Sequence, residues 1–396
     1  MNLSTKLSPA KIRYRNLLSS TAIVSAAFFA TMMLPQQANA IPAQACGLVV
    51  GGVVVCNGDG TPATDANPYL NGIQYNEMGS LSLTVDGTAI PITVVAPFAE
   101  GISASVSSGT LTINTLGNVS IAVGSPMSKG HLGIYARITG EDARIININT
   151  DANIAVNARW GSGIYTFAGI GIANINMSGG SITANASDAS GIWVQAQRFD
   201  GFQPFLGKIA DINVAGNIEV NGANGYGIYL TASDFSVGAP QAPTASINIM
   251  QGGRVFAALD EAIGEGVLVM SSVAIDTTLT IAGEVARPLA TQTAIGLDTG
   301  DDTVILQPTA SITGKIDGGA DTDTFKLEGD AGTSGTLDLD NSPVVNFEMF
   351  EKNGAGLWEL KGDGTAIVGD FAVNGGHLKV NGDLGNANFT IADGAA

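Results

Sequence analysis

The sequence predicts an all-β chain wound as a right-handed parallel β-helix, with three short strands per coil and about ten coils. Three observations carry that reading. First, the chain is rich in glycine and poor in charge: 52 glycines and 13% charged residues among 396, with 6% aromatics. Second, a Gly-Ile or Gly-Val step recurs roughly every 30 residues, at Gly101, Gly133, Gly163, Gly191, Gly227 and Gly266. Third, each step is followed by an apolar-polar alternation. These are "TIN" from Thr112, "INI" from Ile146, "INM" from Ile175, "INV" from Ile212, "INI" from Ile247 and "LTI" from Leu279.

The N-terminus reads as a signal peptide over residues 1–40. Lys6, Lys11, Arg13 and Arg15 make a basic start, an apolar run follows, and Ala38-Asn39-Ala40 supplies small-residue cleavage chemistry after Ala40. An uncleaved anchor helix is the alternative. The mature protein is therefore expected outside the cytoplasm, secreted or at the cell surface. The whole chain has a formal net charge of −18. Cleavage removes those four cations and no acidic residue, so nucleic acid and anionic membrane are poor partners.

Residues 41–95 read as an N-terminal cap. In "CGLVVGGVVVC", two Val-rich arms meet at Gly51-Gly52, a hairpin signal. An exported chain favours a disulfide between Cys46 and Cys56, with two free thiols as the alternative. Neither a histidine nor a third cysteine lies nearby to build a metal site.

Residues 96–330 read as the coils proper. A third alternation often follows the second, as in "GNVSIAV", "GGSITA", "GNIEV" and "GGRVFA". One period of such strands cannot bury its own apolar face, whereas stacking period on period does. Period-two alternation puts Ile146 and Ile148 on one side and Asn147 on the other. A β-propeller is the competing geometry, but its blades are longer, antiparallel and richer in aromatics.

Residues 331–396 read as further coils. From Gly300 to the end of the chain, "GDDTVIL", "SITGKIDGGADTDTFKL", "NFEMFEKNGAGLWELKG" and "VNGGHLKVNG" resemble the C-terminal part of the passenger of bacterial autotransporters. The resemblance implies a β-helical passenger carried across the outer membrane by a β-barrel translocator. It also implies that the C-terminal coils fold first. Such a barrel ordinarily follows the passenger; this chain ends at "ADGAA" and reads as a passenger without its barrel.

Catalysis is not expected. His131 and His377 are the two histidines, and neither accompanies a nucleophile elbow; no phosphate-binding loop or zinc-protease motif is present. Cofactors are expected to be absent. Asp301, Asp302, Asp321 and Asp323 read either as a solvated acidic turn or as imperfect calcium half-motifs. The expected function is therefore an adhesin-like binding protein. Its partner would be a ligand on a host or neighbouring cell, protein or glycan. A polysaccharide-degrading β-helix or an inert stalk are the alternatives. Aromatic platforms read as scarce in the regular coils. The candidate contact is a lateral protrusion built from two insertions at one corner, carrying Phe199, Phe202, Phe205 and Phe235. The competing reading folds those insertions back on the rod.

Overall fold

The computed structural model describes residues 46–60, 65, 67–125, 127–139, 144–169, 171–198, 207–234, 242–259, 261, 263–266, 273–385 and 387–396. Among these residues there is no helix, and every pairing between named strands is parallel. The chain is a parallel β-helix. One coil shows the plan: strands Ile145–Thr150, Asn153–Val156 and Ser162–Ala168 lie on three successive faces. The next coil repeats it with Ile172–Met177, Ser181–Ala184 and Ser190–Arg198.

Three internal columns follow from the register. On the first face Leu83, Ile113, Ile148, Ile175, Ile212, Ile247 and Leu279 stack in line. On the second face Ile121, Ile154, Ile182, Ile218 and Val255 do so. The third face is a ten-stranded sheet whose column runs Ile102, Ile134, Ile164, Ile192, Ile228, Ile263 and Ile295. These side chains are 0–2% exposed. A period of two along the strand and one strand per face per coil oblige the aliphatic residues to meet inside the tube.

The recurring Gly-Ile step has a steric cause. At Gly163 an added Cβ would lie 2.3 Å from Ile182 Cγ2 and 2.7 Å from the Gly191 carbonyl oxygen. Gly101, Gly133 and Gly191 meet the same pair of obstacles, an Ile methyl of the second face and the backbone of the next coil. The strand leaves no room for a side chain where the two faces converge. Gly163→Ala is therefore expected to destabilise the rod by about 1–3 kcal/mol through overpacking. A thermal melt of the mature protein checks this; an unchanged midpoint would show that the corner can yield.

At the N-terminal end Gly51 and Gly52 adopt φ of 60° and 79°, and Val50 and Val53 form an antiparallel bridge across that turn. Left-handed backbone at two consecutive positions is what a tight hairpin turn requires. Cys46 and Cys56 are joined by a disulfide. The second arm, Val53–Cys56, pairs in parallel with Ser82–Val85, so the hairpin is also the first rung of the first face.

The C-terminal coils depart from the three-strand plan. After Val344–Val345 the third face ends, and the chain alternates between two strands per coil. These are Met349–Lys352, Leu357–Asp363, Asp370–Val373, His377–Asp383 and Asn388–Ile391. The interior changes with it. Phe325, Phe350, Phe371 and Phe389 stack in register, with successive ring centroids 6.1, 5.7 and 5.2 Å apart. Phe325, Phe350 and Phe371 are buried, and Phe389 at the end of the series is 44% exposed.

Candidate functional site

The third face is unusual on its outward side. The residue after each inward Ile forms a second column: Tyr135, Tyr165, Trp193 and Tyr229. Ring centroids along it are 5.5, 4.9 and 5.8 Å apart, and Tyr226 stacks on Tyr229 at 4.3 Å. The regular coils thus carry an aromatic strip, contrary to the scarcity expected from the sequence. The signal stood in the repeat itself, as "GIY", "GIY", "GIW" and "GIY", where alternation points the ring outward.

A polar column flanks the rings. Arg137 lies over Phe167, 5.4 Å from its ring centre, and Gln195 and Thr231 continue the row. The Tyr165 hydroxyl donates to Gln195 Oε1, and Trp193 Nε1 donates to Thr231 Oγ1 at 3.1 Å. Burial pushes the Tyr165 hydroxyl well above its ordinary pKa, so it stays a donor.

Part of this outward face is shielded from water, although Arg137 is exposed and the rings of Tyr135, Trp193 and Tyr229 are half-buried. Gln195, Gln197, Thr231 and Ser233 are 2%, 4%, 0% and 2% exposed, although their strands already bury an aliphatic face inside the tube. Gln195 Nε2, Gln197 Oε1 and Ser233 Oγ have no hydrogen-bond partner. Each such atom costs about 1–3 kcal/mol when left unmet. A polar group kept at that cost marks a candidate ligand contact.

The same strands launch the two insertions. Arg198 and Asp234 pair in register, and so do Lys208 and Thr244, where the chain rejoins the first face. The two insertions therefore leave and return side by side. The preceding coil turns this corner within the short link from Ala168 to Ile172. Phe199, Phe202, Phe205 and Phe235 lie outside the described residues, as does Ala40.

Of the four aspartates, Asp301 and Asp321 are exposed, as a solvated turn would have them, whereas Asp302 and Asp323 do other work. Asp302 and Asp323 are 1% and 0% exposed, so they do not form a solvated turn. Asp302 Oδ1 accepts from the Thr277 amide at 2.6 Å, and the Asp302 amide donates to Asp323 Oδ1 at 2.8 Å. The Asp323 amide donates to Glu348 Oε2 at 2.8 Å. A parallel row links Asp276, Asp301 and the Thr322 amide at 3.0 Å per step. These carboxylates cap backbone amides of neighbouring coils. Among the described residues no group of three or more His, Cys, Asp or Glu side chains is placed to hold a metal ion.

Three further residues complete the inventory. Burial lowers the pKa of His131, beside the start of the third-face strand Leu132–Ile138. His377 is exposed on the strand His377–Asp383 at the far end of the rod. Lys352 occupies an inward position in register with Leu327 and Val373 and is 0% exposed. Its Nζ donates to the carbonyls of Asn353, Gly354 and Gly375 at 2.8, 3.0 and 3.0 Å.

Comparison with known proteins finds no matching family model, no matching curated sequence and no matching solved structure.

Proposed function

We propose that the chain is an exported, adhesin-like binding rod of the autotransporter-passenger kind, working at the cell surface or after release, without chemistry of its own. An outer-membrane β-barrel would translocate it. Its contact region is the third face around Tyr135, Tyr165, Trp193 and Tyr229, together with the two insertions that leave the rod beside it. The observation that supports this reading is that the strand residues flanking the two insertions pair in register, Arg198 with Asp234 and Lys208 with Thr244, next to buried polar atoms without a hydrogen-bond partner. Aromatic rings beside amide and hydroxyl groups suit recognition of a sugar or a polar protein loop on another cell.

Replacing residues 199–206 and 235–241 by short Gly-Ser links tests the proposal. The purified chain and the variant are compared for binding to an array of immobilised oligosaccharides and to cultured animal and bacterial cells. Binding by the parent chain and its loss in the variant, with the thermal midpoint nearly unchanged, is the expected result. Binding that survives the replacement would overturn the assignment. Absence of binding by the parent chain would leave the rod as a stalk, and cleavage of an arrayed glycan would make it an enzyme.

A further inference from the structure

The first face carries a second feature that the adhesin reading does not use. Two of its outward columns are straight and polar, and beside them lies a mixed one through Ile145, Ile172, Thr244 and Asp276. Of the two polar columns, one runs Ser82, Thr112, Asn147, Asn174, Asp211, Ser246 and Thr278; the other runs Thr84, Asn114, Asn149, Asn176, Asn213, Asn248 and Thr280. Every member is Ser, Thr, Asn or Asp, and the register does not slip anywhere within the two columns. Beyond them the rows continue without charge, to Val53 and Val55 at one end and to Thr303 and Ile305 at the other. Asp211 is the one ionisable residue in the rows, and Lys208 pairs with it. In a chain of net charge −18 this neutrality is local. The second face, by contrast, carries Glu219, Arg254 and Glu284 in an ion-pair cluster.

The columns are also held in place. Asn149 Nδ2 donates to Asn114 Oδ1, Asn174 Nδ2 to Asn147 Oδ1 and Asn248 Nδ2 to Asn213 Oδ1, each at 2.9 Å. Asn114 and Asn147 donate to the hydroxyls of Thr84 and Thr112 at 3.3 and 3.4 Å. Side chains bonded along a column have little rotamer freedom left to lose on binding.

We propose that this face binds ice. Rungs of a parallel sheet lie about 4.8 Å apart, and outward neighbours along a strand lie about 6.7 Å apart. The result is a fixed two-dimensional net of hydroxyl and amide groups about 30 Å long. The rung spacing comes near the shorter oxygen repeat on the prism faces of ordinary ice, so water bound on successive rungs falls close to that row. A neutral water lattice is the partner a net without unpaired charge complements, since Asp211, its one ionisable residue, is already neutralised by Lys208. A single glycan chain is a poorer fit because neither column holds an aromatic ring to stack on a sugar. A protein is a poorer fit because the columns lack apolar anchors. The assignment is independent of the third-face reading and survives its failure.

The mature full-length chain is grown against a single ice crystal and scored for faceting, for incorporation into slowly advancing ice and for inhibition of recrystallisation. The parent chain is expected to facet the crystal and to enter the ice. Asn149→Lys combined with Asn248→Lys is expected to lose both effects to the level of buffer, with its thermal midpoint retained. Ser181→Lys, on the outward side of the second face, is expected to keep them. Rounded crystals and exclusion of the parent chain from ice would overturn the proposal, and that arm decides alone if a variant fails to fold. Full activity in the double variant, or retention of the parent chain on crystalline cellulose or chitin but not on ice, would overturn it equally.

Discussion

Trp358→Ala is expected to destabilise the C-terminal coils by about 3–5 kcal/mol, the range for removing a large aromatic from a packed interior. Trp358 is 1% exposed. Its strand lies between Ser334–Asp338 on one side and His377–Asp383 on the other, so three coils depend on its position. The indole ring lies against the backbone of Gly335, where an added Cβ would come within 2.7–2.8 Å of three ring carbons. The ring nitrogen donates to the Glu328 carbonyl at 2.9 Å, so truncation also strands an acceptor. Urea unfolding followed by far-UV circular dichroism measures the loss. A change below about 1 kcal/mol would mean that the indole caps a loop and does not anchor the stack. The resemblance to autotransporter passengers adds a kinetic expectation. If folding starts at the C-terminal coils, Trp358→Ala slows refolding more than Ile148→Ala does. Equal refolding rates for the two would count against a C-terminal nucleus.

The fold was legible because its rules are local. Alternation around Ile148, Ile175 and Ile212 names the inward side, and the Gly-Ile step marks where two faces converge. The same alternation held the outward columns, including the rings after Ile134, Ile164, Ile192 and Ile228. Aromatic content averaged over the chain hides them, whereas register concentrates them on one face. Lys352 shows the opposite case. In "MFEK", alternation sends Phe350 and Lys352 to the same inward side, yet a buried ammonium is costly without partners. Those partners are carbonyls at Asn353, Gly354 and Gly375, and the last belongs to the following turn. Asp302 and Asp323 were misleading for the same reason. Their amide partners lie 25 and 21 residues away in neighbouring coils, so "GDDT" and "GADTDT" read locally as wet turns. The change from three strands per coil to two was not legible either. Alternation in "MFEK" and "DFAV" marks an inward side without saying how many strands close the coil.

Raising the pH from 5 to 8 is expected to weaken the rod by on the order of 4 kcal/mol if folding binds one extra proton across that interval. Asp302 and Asp323 are the source. Loss of water around the buried carboxyls pushes them up to about 8 and about 7, with Thr277 and Asp302 amides opposing the shift. The facing charges raise them further: Asp276, Asp301 and Asp323 around Asp302, and Glu348, Asp301 and Asp321 around Asp323. Asp302 Oδ2 and Asp323 Oδ2 have no hydrogen-bond partner to stabilise an anion. The folded state thus holds protons that the unfolded chain, with ordinary carboxyls near pH 4, has already released. The stabilisation is complete below that point, falls progressively above it and is gone once the pH has climbed through 7 to 8. Glu359 acts in the other sense. Its bond to Lys379 lowers its pKa, so what it adds is lost only on acidification. Thermal midpoints at pH 5 and pH 8 read the effect, and Asp302→Asn separates it from general repulsion in an acidic chain. The amide keeps an acceptor for the Thr277 N–H and has no proton to lose. Asp302→Asn should therefore melt higher than the parent at pH 8 and show a flatter pH profile. A parent midpoint that stays level or rises between pH 5 and 8 would show that these carboxyls are ionised inside the folded rod.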